Sequence, residues 1–242
     1  MNNYFILLAA GDGKRFKSKI PKQFTYYKQK EMLFHSIDKA IESKLFKKIV
    51  LVINKNHKRY LNKFNTKKII VINGGNKRYN SAFNALNYLK KFSPKNIYIH
   101  DAARPDFSLN LLKKINKILS NNLAVVPALK PKDSVKYINK KNNSNLNRNK
   151  VYLTQTPQAF NYKILYKLFK KNSKQITDDA SLFINNGFRI KFIKGEKENI
   201  KITDSNDIVN KIKNLKYGIG FDIHKLKFGK KLFLGGINIP YH

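Results

Sequence analysis

Apolar runs and helical periods alternate along the first 130 residues of the chain. The run YFILLAA (4–10) is continuously apolar and ends in a glycine loop, which predicts a buried strand. The segment EMLFHSIDKAIES (31–43) spaces its apolar residues as a helix does. Further strands are predicted at 48–54, 67–73, 96–105 (running into a charged loop), 123–129 and 188–195. Further helices are predicted at 57–64, 81–92, 109–120, 161–171, 178–186 and 205–214.

This alternation predicts an α/β fold with a doubly wound, mostly parallel sheet and helices on both faces. In such sheets ligands bind beyond the carboxyl ends of the strands. The loops at 11–23, 74–81 and 101–106 all follow predicted strands. We therefore expect these three loops to converge on one site.

The stretch 130–150, KPKDSVKYINKKNNSNLNRNK, interrupts the alternation. Its polar, asparagine-rich composition leaves disorder open. Its flanks, DSVKYI and KVYLTQTP, have strand-like patterns. We interpret the segment at about 130–153 as a projecting β arm.

The net charge of +36 raises the possibility of a basic nucleic-acid-binding protein without catalysis. That class predicts clustered arginines or stacking aromatics on one face. Only six of the 50 basic residues are arginines, and the lysines are scattered along the whole chain. We favour solvated lysine faces that attract anionic substrates, and we expect no specific nucleic-acid partner.

The composition also bears on compartment and chemistry. The chain has no cysteine, which excludes disulfides, thiolate metal sites and thiol nucleophiles within it. No apolar run reaches the roughly 18 residues of a membrane span, and the first residues lack a basic leader and a cleavage site. We expect a cytoplasmic protein with no membrane partner.

The first loop, GDGKRFKSKIPKQ (11–23), combines glycines with cations. Gly11 and Gly13 let backbone N–H groups approach phosphate oxygens closely. The loop is not a P-loop, because no Ser or Thr follows Gly13-Lys14, and it lacks the third glycine of a dinucleotide fingerprint. Taken alone, it could equally be a glycine turn with solvated lysines. Its cations are Lys14, Arg15, Lys17, Lys19 and Lys22.

The other two loops carry polar groups as well. GGNKRYNS contains Gly75, Arg78 and Ser81, and HDAARP contains Asp101 and Arg104. Asp101 is suited to Mg²⁺ or its waters, because Mg²⁺ uses few carboxylates beside phosphates and water. The plainer alternatives are a surface charge at a helix start for Arg78, and an N-cap or a partner of Arg104 for Asp101. His35, His57 and His100 have no second ligand at useful spacing, and we expect packing or surface roles.

Six motifs in order, AAGDGKRF…PKQ, GGNKRYNS, HDAARP, TQTPQAF, TDDAS and ENIKIT, resemble the 2-C-methyl-D-erythritol 4-phosphate cytidylyltransferase family. The resemblance covers residues 4 to about 213. It implies a nucleotide-diphospho-sugar transferase-like domain at 1–214. It also implies transfer of CMP from CTP to methylerythritol phosphate with release of pyrophosphate. A cytidylyltransferase for another polyol phosphate is the alternative.

The resemblance also implies roles for individual residues. Arg15 and Lys22 would stabilise the charge of the transferring phosphoryl group, and Asp101 would meet Mg²⁺ (or another divalent cation), directly or through water. Family members are homodimers with swapped arms, so Arg148 would act in cis or in trans. Asn76 stands where the family commonly has Asp, which leaves the role of that side chain open. The implied nucleotide contacts are Ala9, Ala10, Gly11, Gly13, Lys22, Gly75, Arg78, Ser81, Asp101, Ala102 and Arg104, and the implied acceptor contacts are Arg148, Thr156 and Lys201.

The tail at 217–242, YGIGFDIHKLKFGKKLFLGGINIP and two further residues, resembles the beginning of 2-C-methyl-D-erythritol 2,4-cyclodiphosphate synthase. Asp222 and His224 match two metal ligands of that family and alternate as strand residues on one side do. A catalytic zinc takes three protein ligands, and the family's third lies in a later stretch that these 242 residues do not contain. We expect an incomplete zinc-type site and no cyclase activity from these 242 residues.

Overall fold

The computed structural model describes residues 2–16, 18, 20–61, 67–139, 142–171 and 178–212, and from the tail 225, 229, 231–234 and 237–240. None of the helices in these ranges is long and apolar enough to cross a membrane. The α-helices of the described residues are α1 Met32–Glu42, α2 Arg78–Leu89, α3 Leu109–Leu119, α4 Tyr162–Lys171, α5 Ala180–Asn185 and α6 Ser205–Ile212.

The strands are numbered in chain order. They are β1 Asn3–Ala9, β2 Tyr26–Tyr27, β3 Lys30–Glu31, β4 Lys48–Ile53, β5 Ile69–Asn73, β6 Asn96–Asp101, β7 Ala124–Leu129, β8 Val135–Ile138, β9 Asn143–Leu146, β10 Leu153–Thr154, β11 Gln158–Asn161, β12 Lys191–Lys194, β13 Leu232–Leu234 and β14 Ile237–Ile239. The main sheet has the order β10-β7-β11-β6-β1-β4-β5, and β12 also pairs with β7. Strands β6, β1, β4 and β5 run parallel to one another, as the alternation of elements predicts.

The side chains of β1 alternate between the two faces of the sheet. Ile6 lies in a core cluster with apolar residues of α2, α4 and α5. Phe5 and Leu7 lie in a second cluster, on the side of α1 and α3. All three side chains are fully buried. Helices therefore cover both faces, which confirms the doubly wound prediction and leaves the carboxyl ends of the parallel strands free to form a site.

Two elements differ from the predictions. Strand β11, with three buried residues, lies antiparallel between β6 and β7, where no strand is predicted. Its four residues are too short to show a period, and α4 follows at once. Strands β2 and β3 form a hairpin whose turn residues Lys28 and Gln29 have φ of 47° and 73°. Such turns usually contain glycine or asparagine, so Lys28-Gln29 does not predict this hairpin.

The remaining predicted elements are present, with shifted ends. The segment predicted as a short helix at 57–64 is a 3₁₀-helix, Lys55–Leu61, and residues 62–64 lie outside the described part. The predicted arm is an antiparallel hairpin of β8 and β9, and nearly all of its described residues are exposed. In the tail, β13 and β14 pair as a third hairpin, in which Phe233 is 59% exposed and Ile237 is 67% exposed.

Candidate active site

Loops that follow four neighbouring parallel strands line one cavity of about 710 Å³. Residues 10–13 follow β1, 54–56 follow β4, 74–77 follow β5 and 102–103 follow β6. The expected convergence of the three predicted loops on one site is confirmed. The predicted residues that line this nucleotide-sized cavity are Ala9, Ala10, Gly11, Gly13, Lys22, Gly75, Arg78, Ser81, Asp101, Ala102 and Lys201.

The backbone of the first loop is fixed by groups close to it. Gly13 has φ of +64°, which L side chains rarely adopt, and a Cβ there would lie 3.1 Å from the Cβ of Lys22. The buried Gln23 donates from Nε2 to the carbonyl oxygens of Ala9, at 2.7 Å, and Gly11, at 3.2 Å. These contacts fix the backbone at Ala9, Gly11 and Gly13. Gln23 was not among the predicted site residues.

Asp12, the one acidic residue of this loop, contacts residues that follow the neighbouring strand β4. Its Oδ1 accepts a hydrogen bond from Asn54 Nδ2 at 3.0 Å and lies 3.9 Å from His57 Nε2. His57 packs against the rings of Phe24 and Tyr60, and burial lowers its pKa. The predicted packing role of His57 is confirmed.

Four linked charged side chains lie at the floor of the cavity, and three of them, Arg78, Asp101 and Lys201, line it. Asp101 Oδ1 accepts from Arg78 Nε at 3.0 Å, and Asp101 Oδ2 lies 2.7 Å from Lys201 Nζ. On its other side Arg78 places Nη2 2.8 Å from Oδ2 of Asp179, whose side chain is fully buried. Burial alone would raise the pKa of Asp101, but Arg78 and Lys201 outweigh it and hold the pKa below its usual range. Burial raises the pKa of Asp179 against the opposing charge of Arg78.

These contacts correct two of the plainer alternatives. Arg78 is not a surface charge at the start of α2, because it joins two carboxylates. Asp101 does not pair with the guanidinium of Arg104; its carboxylate partners among the described residues are Arg78 and Lys201. Asp179, which lies in the TDDAS motif, was not among the predicted site residues. Asp178 does accept from Ser181 N at 3.0 Å as a cap would, whereas Thr177 lies outside the described residues.

The cations beside the first cavity differ in exposure. Lys22 is half-buried, and its Nζ donates to the carbonyl oxygen of Ile202 at 2.6 Å. Burial lowers the pKa of Lys22, and the charges of Lys201 and Arg15 lower it further. Arg15 is exposed on a 3₁₀-helix, Lys14–Phe16. It is not one of the described residues that line either cavity.

A second cavity, of about 410 Å³, adjoins the first and shares Arg78, Asp101 and Lys201 with it. Arg104 lines this second cavity rather than the first. Its Nη1 donates to the carbonyl of Asn199 at 2.8 Å. The further residues of the second cavity are Thr154, Thr156, Gln158, Asp178, Ala180, Ser181 and Ile184.

Thr156 is buried, and its hydroxyl has two protein partners. His100 Nε2 lies 3.0 Å from the carbonyl of Arg104, so it carries the proton. Burial lowers the pKa of His100 to about 3, so the ring is neutral and Nδ1 accepts from the Thr156 hydroxyl at 2.9 Å. The same hydroxyl oxygen accepts from Asp101 N at 3.1 Å. The predicted acceptor contact of Thr156 stays a prediction, and His100 is a packing residue as expected.

The remaining predicted residues lie elsewhere. Arg148 is exposed in the arm, where its Nη1 donates to the carbonyl of Lys132 at 2.9 Å. Asp222 and His224 lie outside the described residues. In the described part of the chain, no three His, Asp or Glu side chains are close enough together to hold a metal ion.

The comparisons with known proteins agree with this geometry. Residues 4–212 match the family model described as IspD: 2-C-methyl-D-erythritol 4-phosphate cytidylyltransferase. The 2-C-methyl-D-erythritol 4-phosphate cytidylyltransferase of Thermosipho melanesiensis is 34% identical over 215 residues, 85% of this chain and 94% of that protein. The crystal structure of the Francisella tularensis enzyme of the same name (IspD) has a TM-score of 0.76 at 31% identity, covering 89% of this chain and all of that one.

A bifunctional relative also matches. The bifunctional enzyme IspD/IspF of Pelagibacter ubique is 53% identical over 241 residues, 99% of this chain. This chain spans 64% of the length of that relative. On the match over residues 4–212, the chain belongs to the 2-C-methyl-D-erythritol 4-phosphate cytidylyltransferase family.

Proposed function

We propose that the protein transfers CMP from CTP to 2-C-methyl-D-erythritol 4-phosphate and releases pyrophosphate, a step in isoprenoid precursor synthesis. The observation that carries the proposal is the nucleotide-sized cavity, which is lined by Gly11 and Gly13 of the first loop and by Lys22 and Lys201. Cations and backbone N–H groups around a cleft favour a polyphosphate ligand. The family match supplies the identity of the nucleotide and the acceptor.

The reaction requires little acid–base chemistry. An acceptor phosphate is largely ionised at neutral pH, because its second pKa is about 6. One of its oxygens attacks the α-phosphorus of CTP and forms the new P–O bond, while the bond to the β-phosphate breaks and pyrophosphate leaves. The catalytic work is therefore positioning and charge stabilisation. The roles of His57 and His100 agree with this, because both rings pack against aromatic side chains and neither is needed as a general base.

The first cavity holds the nucleotide. The backbone of 9–13 lies along the triphosphate, and Gly75, Ser81 and Ala102 face the base and ribose. Ser81 Oγ already accepts from Gly75 N at 3.1 Å, which orders that loop. Lys22 releases the carbonyl of Ile202 when it turns to the phosphoryl group, and the exposed Arg15 folds inward over the α-phosphate.

The second cavity holds the acceptor. Lys201 lies between the two cavities and is the cation best placed to reach both the acceptor phosphate and the α-phosphate. Thr156 lines the far wall. The chain forms a homodimer in which the arm of β8 and β9 brings Arg148 to the acceptor of the neighbouring protomer. This placement is supported by the exposure of the arm and by the fact that Arg148 is not among the described residues that line either cavity.

A divalent cation fits this site only in company with the nucleotide. Both oxygens of Asp101 already bond to cations, so a metal that touches the carboxylate directly would displace the ammonium of Lys201. Asp101 suits a Mg²⁺ bound chiefly by phosphates, with water between metal and carboxylate. When bound, the cation would neutralise charge on the polyphosphate. Asp101, through water, is the residue that would hold it.

The tail and the location are further parts of the proposal. We assign 1–214 to the cytidylyltransferase domain and 217–242 to the start of a cyclodiphosphate synthase domain, an assignment supported by the bifunctional relatives. CTP is an intracellular nucleotide, which supports a cytoplasmic location.

Pyrophosphate release tests the proposal. The purified chain is incubated with Mg²⁺ and CTP, UTP or ATP, with methylerythritol 4-phosphate, with other polyol phosphates or without an acceptor. We expect release with CTP and methylerythritol 4-phosphate, and a much lower rate for every other combination. A higher kcat/KM for another polyol phosphate would assign the enzyme to that acceptor instead. Release that does not depend on an acceptor would contradict transferase function.

A further inference from the structure

The segment Gly195–Ile202 supplies contacts to both lysines of the candidate site. Lys201 belongs to the segment and reaches Asp101, and the carbonyl of Ile202 accepts from Lys22. The positive charges of Lys22 and Lys201 repel each other. Burial is the main cause that lowers the pKa of Lys22, and the charge of Lys201 lowers it further. Something in the fold must therefore hold this segment in place against the repulsion.

Regular secondary structure does not hold it. The segment lies between β12 and α6, and its own backbone bonds are short turns, Asn199 N to Glu196 O and Ile200 N to Glu198 O. Its two ends are anchored by Gly195 N to Ala128 O and Ile202 N to Ala103 O. Between these ends the conformation depends on side chains from elsewhere in the chain.

Gln155 is the main side chain that grips the segment. It is 5% exposed, and both ends of its amide bond to the segment backbone. Its Oε1 accepts from Glu196 N at 2.9 Å. Its Nε2 donates to the carbonyls of Glu196, at 2.7 Å, and Asn199, at 3.1 Å. These three hydrogen bonds from the Gln155 side chain all go to the backbone of this one segment.

Neighbouring groups complete the grip. Arg104 Nη1 donates to the carbonyl of Asn199, and Asn199 Nδ2 donates to the carbonyl of Thr156 at 2.8 Å. Gly195 leaves room for the amide, because a Cβ there would lie 2.3 Å from Gln155 Oε1. Contacts this close are essentially absent from real structures, so any side chain at Gly195 would displace Gln155.

We infer that Gln155 is a positioning residue that sets the placement of Lys22 and Lys201 through the Gly195–Ile202 segment. The inference rests on the proposed function for its kinetic consequence, but its structural part does not. It also gives Arg104 a structural role through its hydrogen bond to the carbonyl of Asn199, and the predicted nucleotide contact of Arg104 stays a prediction.

Gln155→Glu is the direct test, because it keeps the shape of the side chain and replaces a donor by an acceptor that faces two carbonyls. We expect kcat to fall at least about 10-fold, the scale of a misplaced transition-state cation. KM for CTP changes less, because Gln155 does not touch the loop at 9–13. In a Lys201→Ala background the same change lowers kcat by a smaller factor than in the wild type, because the effect through Lys201 is already lost and only the effect through Lys22 remains. An undiminished loss in that background would overturn the inference.

A matched control separates positioning from general destabilisation. Asn3 is a buried amide at the opposite end of β1, and its Nδ2 donates to Asn116 Oδ1 at 3.1 Å. Asn3→Asp makes the same amide-to-acid change there, and we expect lower stability with near wild-type kcat. If Gln155→Glu does not fold, Gly195→Ala disturbs the same contact by crowding, and the same kinetic pattern is expected of it.

A second readout does not depend on activity. Reductive methylation followed by mass spectrometry measures how fast each lysine reacts. In Gln155→Glu we expect Lys22 to react several-fold faster relative to Lys113, an exposed lysine of α3, and in Asn3→Asp we expect no change. Unchanged labelling of Lys22 in the folded Gln155→Glu protein refutes the inference even if the wild-type chain proves to have another activity. Faster labelling in a wild-type-inactive protein would retain the positioning role and refute only the proposed function.

Discussion

Replacing Asp101 by asparagine removes the negative charge that joins Arg78 to Lys201. Removing one partner of a buried ion pair costs about 3–5 kcal/mol, since the remaining charge stays buried. Here the cost is reduced, because Arg78 keeps Asp179 and the side chain of Lys201 is 40% exposed. We expect the free energy of unfolding to fall by about 2–3 kcal/mol at pH 7, with a decrease in Tm of about 4–12 °C for a domain of this size.

The stability difference between wild type and Asp101→Asn should depend on pH in a defined direction. The pKa of Asp101 is lower in the folded protein than its ordinary value of 3.8, so its stabilising contribution is fully present above that value. The contribution is lost as the pH falls from 3.8 through the folded pKa. The difference between wild type and Asp101→Asn should therefore be constant between pH 7 and pH 5 and should narrow by pH 3.

Urea unfolding followed by circular dichroism measures both quantities. Asp12→Asn serves as the control, because that carboxylate side chain is 57% exposed and its loss should cost less than about 0.5 kcal/mol. A loss below about 0.5 kcal/mol for Asp101→Asn at pH 7 would refute the view that this charge organises the floor of the site. A difference that persists unchanged at pH 3 would refute its electrostatic origin.

Three predictions concern activity. Arg15→Lys keeps the charge but loses the forked guanidinium, and Lys22→Ala loses the charge, so kcat should fall at least about 10²-fold in both variants. The control Arg189→Lys, at an exposed arginine, should leave kcat unchanged. Near-normal kcat in both site variants would refute the catalytic roles of Arg15 and Lys22. Arg148→Ala should raise KM for the acceptor and leave CTP binding nearly unchanged. Mixing Arg15→Ala with Arg148→Ala chains should restore some activity if the arm serves the neighbouring protomer; absence of rescue in confirmed heterodimers would count against a shared site. Deleting 217–242 should leave cytidylyl transfer intact, which a rate measurement on the shortened chain would check.

The parts of the fold that local pattern controls were predictable from the sequence. Strand β1 and helix α1 follow from an unbroken apolar run and a clear helical period. The convergence of loops on one edge follows from the parallel alternation itself, and it is confirmed. Strand β11 was not predictable, because four residues carry no period and its pairing with β6 and β7 is a tertiary outcome.

Three side chains that support the site, Gln23, Gln155 and Asp179, were missed for a related reason. Gln155 contacts residues 41 and 44 positions away, and Arg78 meets Asp179 across about 100 positions. Neither pairing leaves a local spacing in the sequence. Glycines and cations next to strand ends do leave such a pattern, which is why the loop at 11–23 was found and Gln23, which supports it, was not.

The fate of the α-phosphorus tests the central claim most directly. The chain is incubated with CTP labelled at the α-phosphorus, methylerythritol 4-phosphate and Mg²⁺, and the products are separated and identified by ³¹P NMR and mass spectrometry. The account predicts that the label appears in a cytidine diphosphate ester of methylerythritol, in equal amount to unlabelled pyrophosphate. Label found only in CMP, or left in CTP, would contradict it.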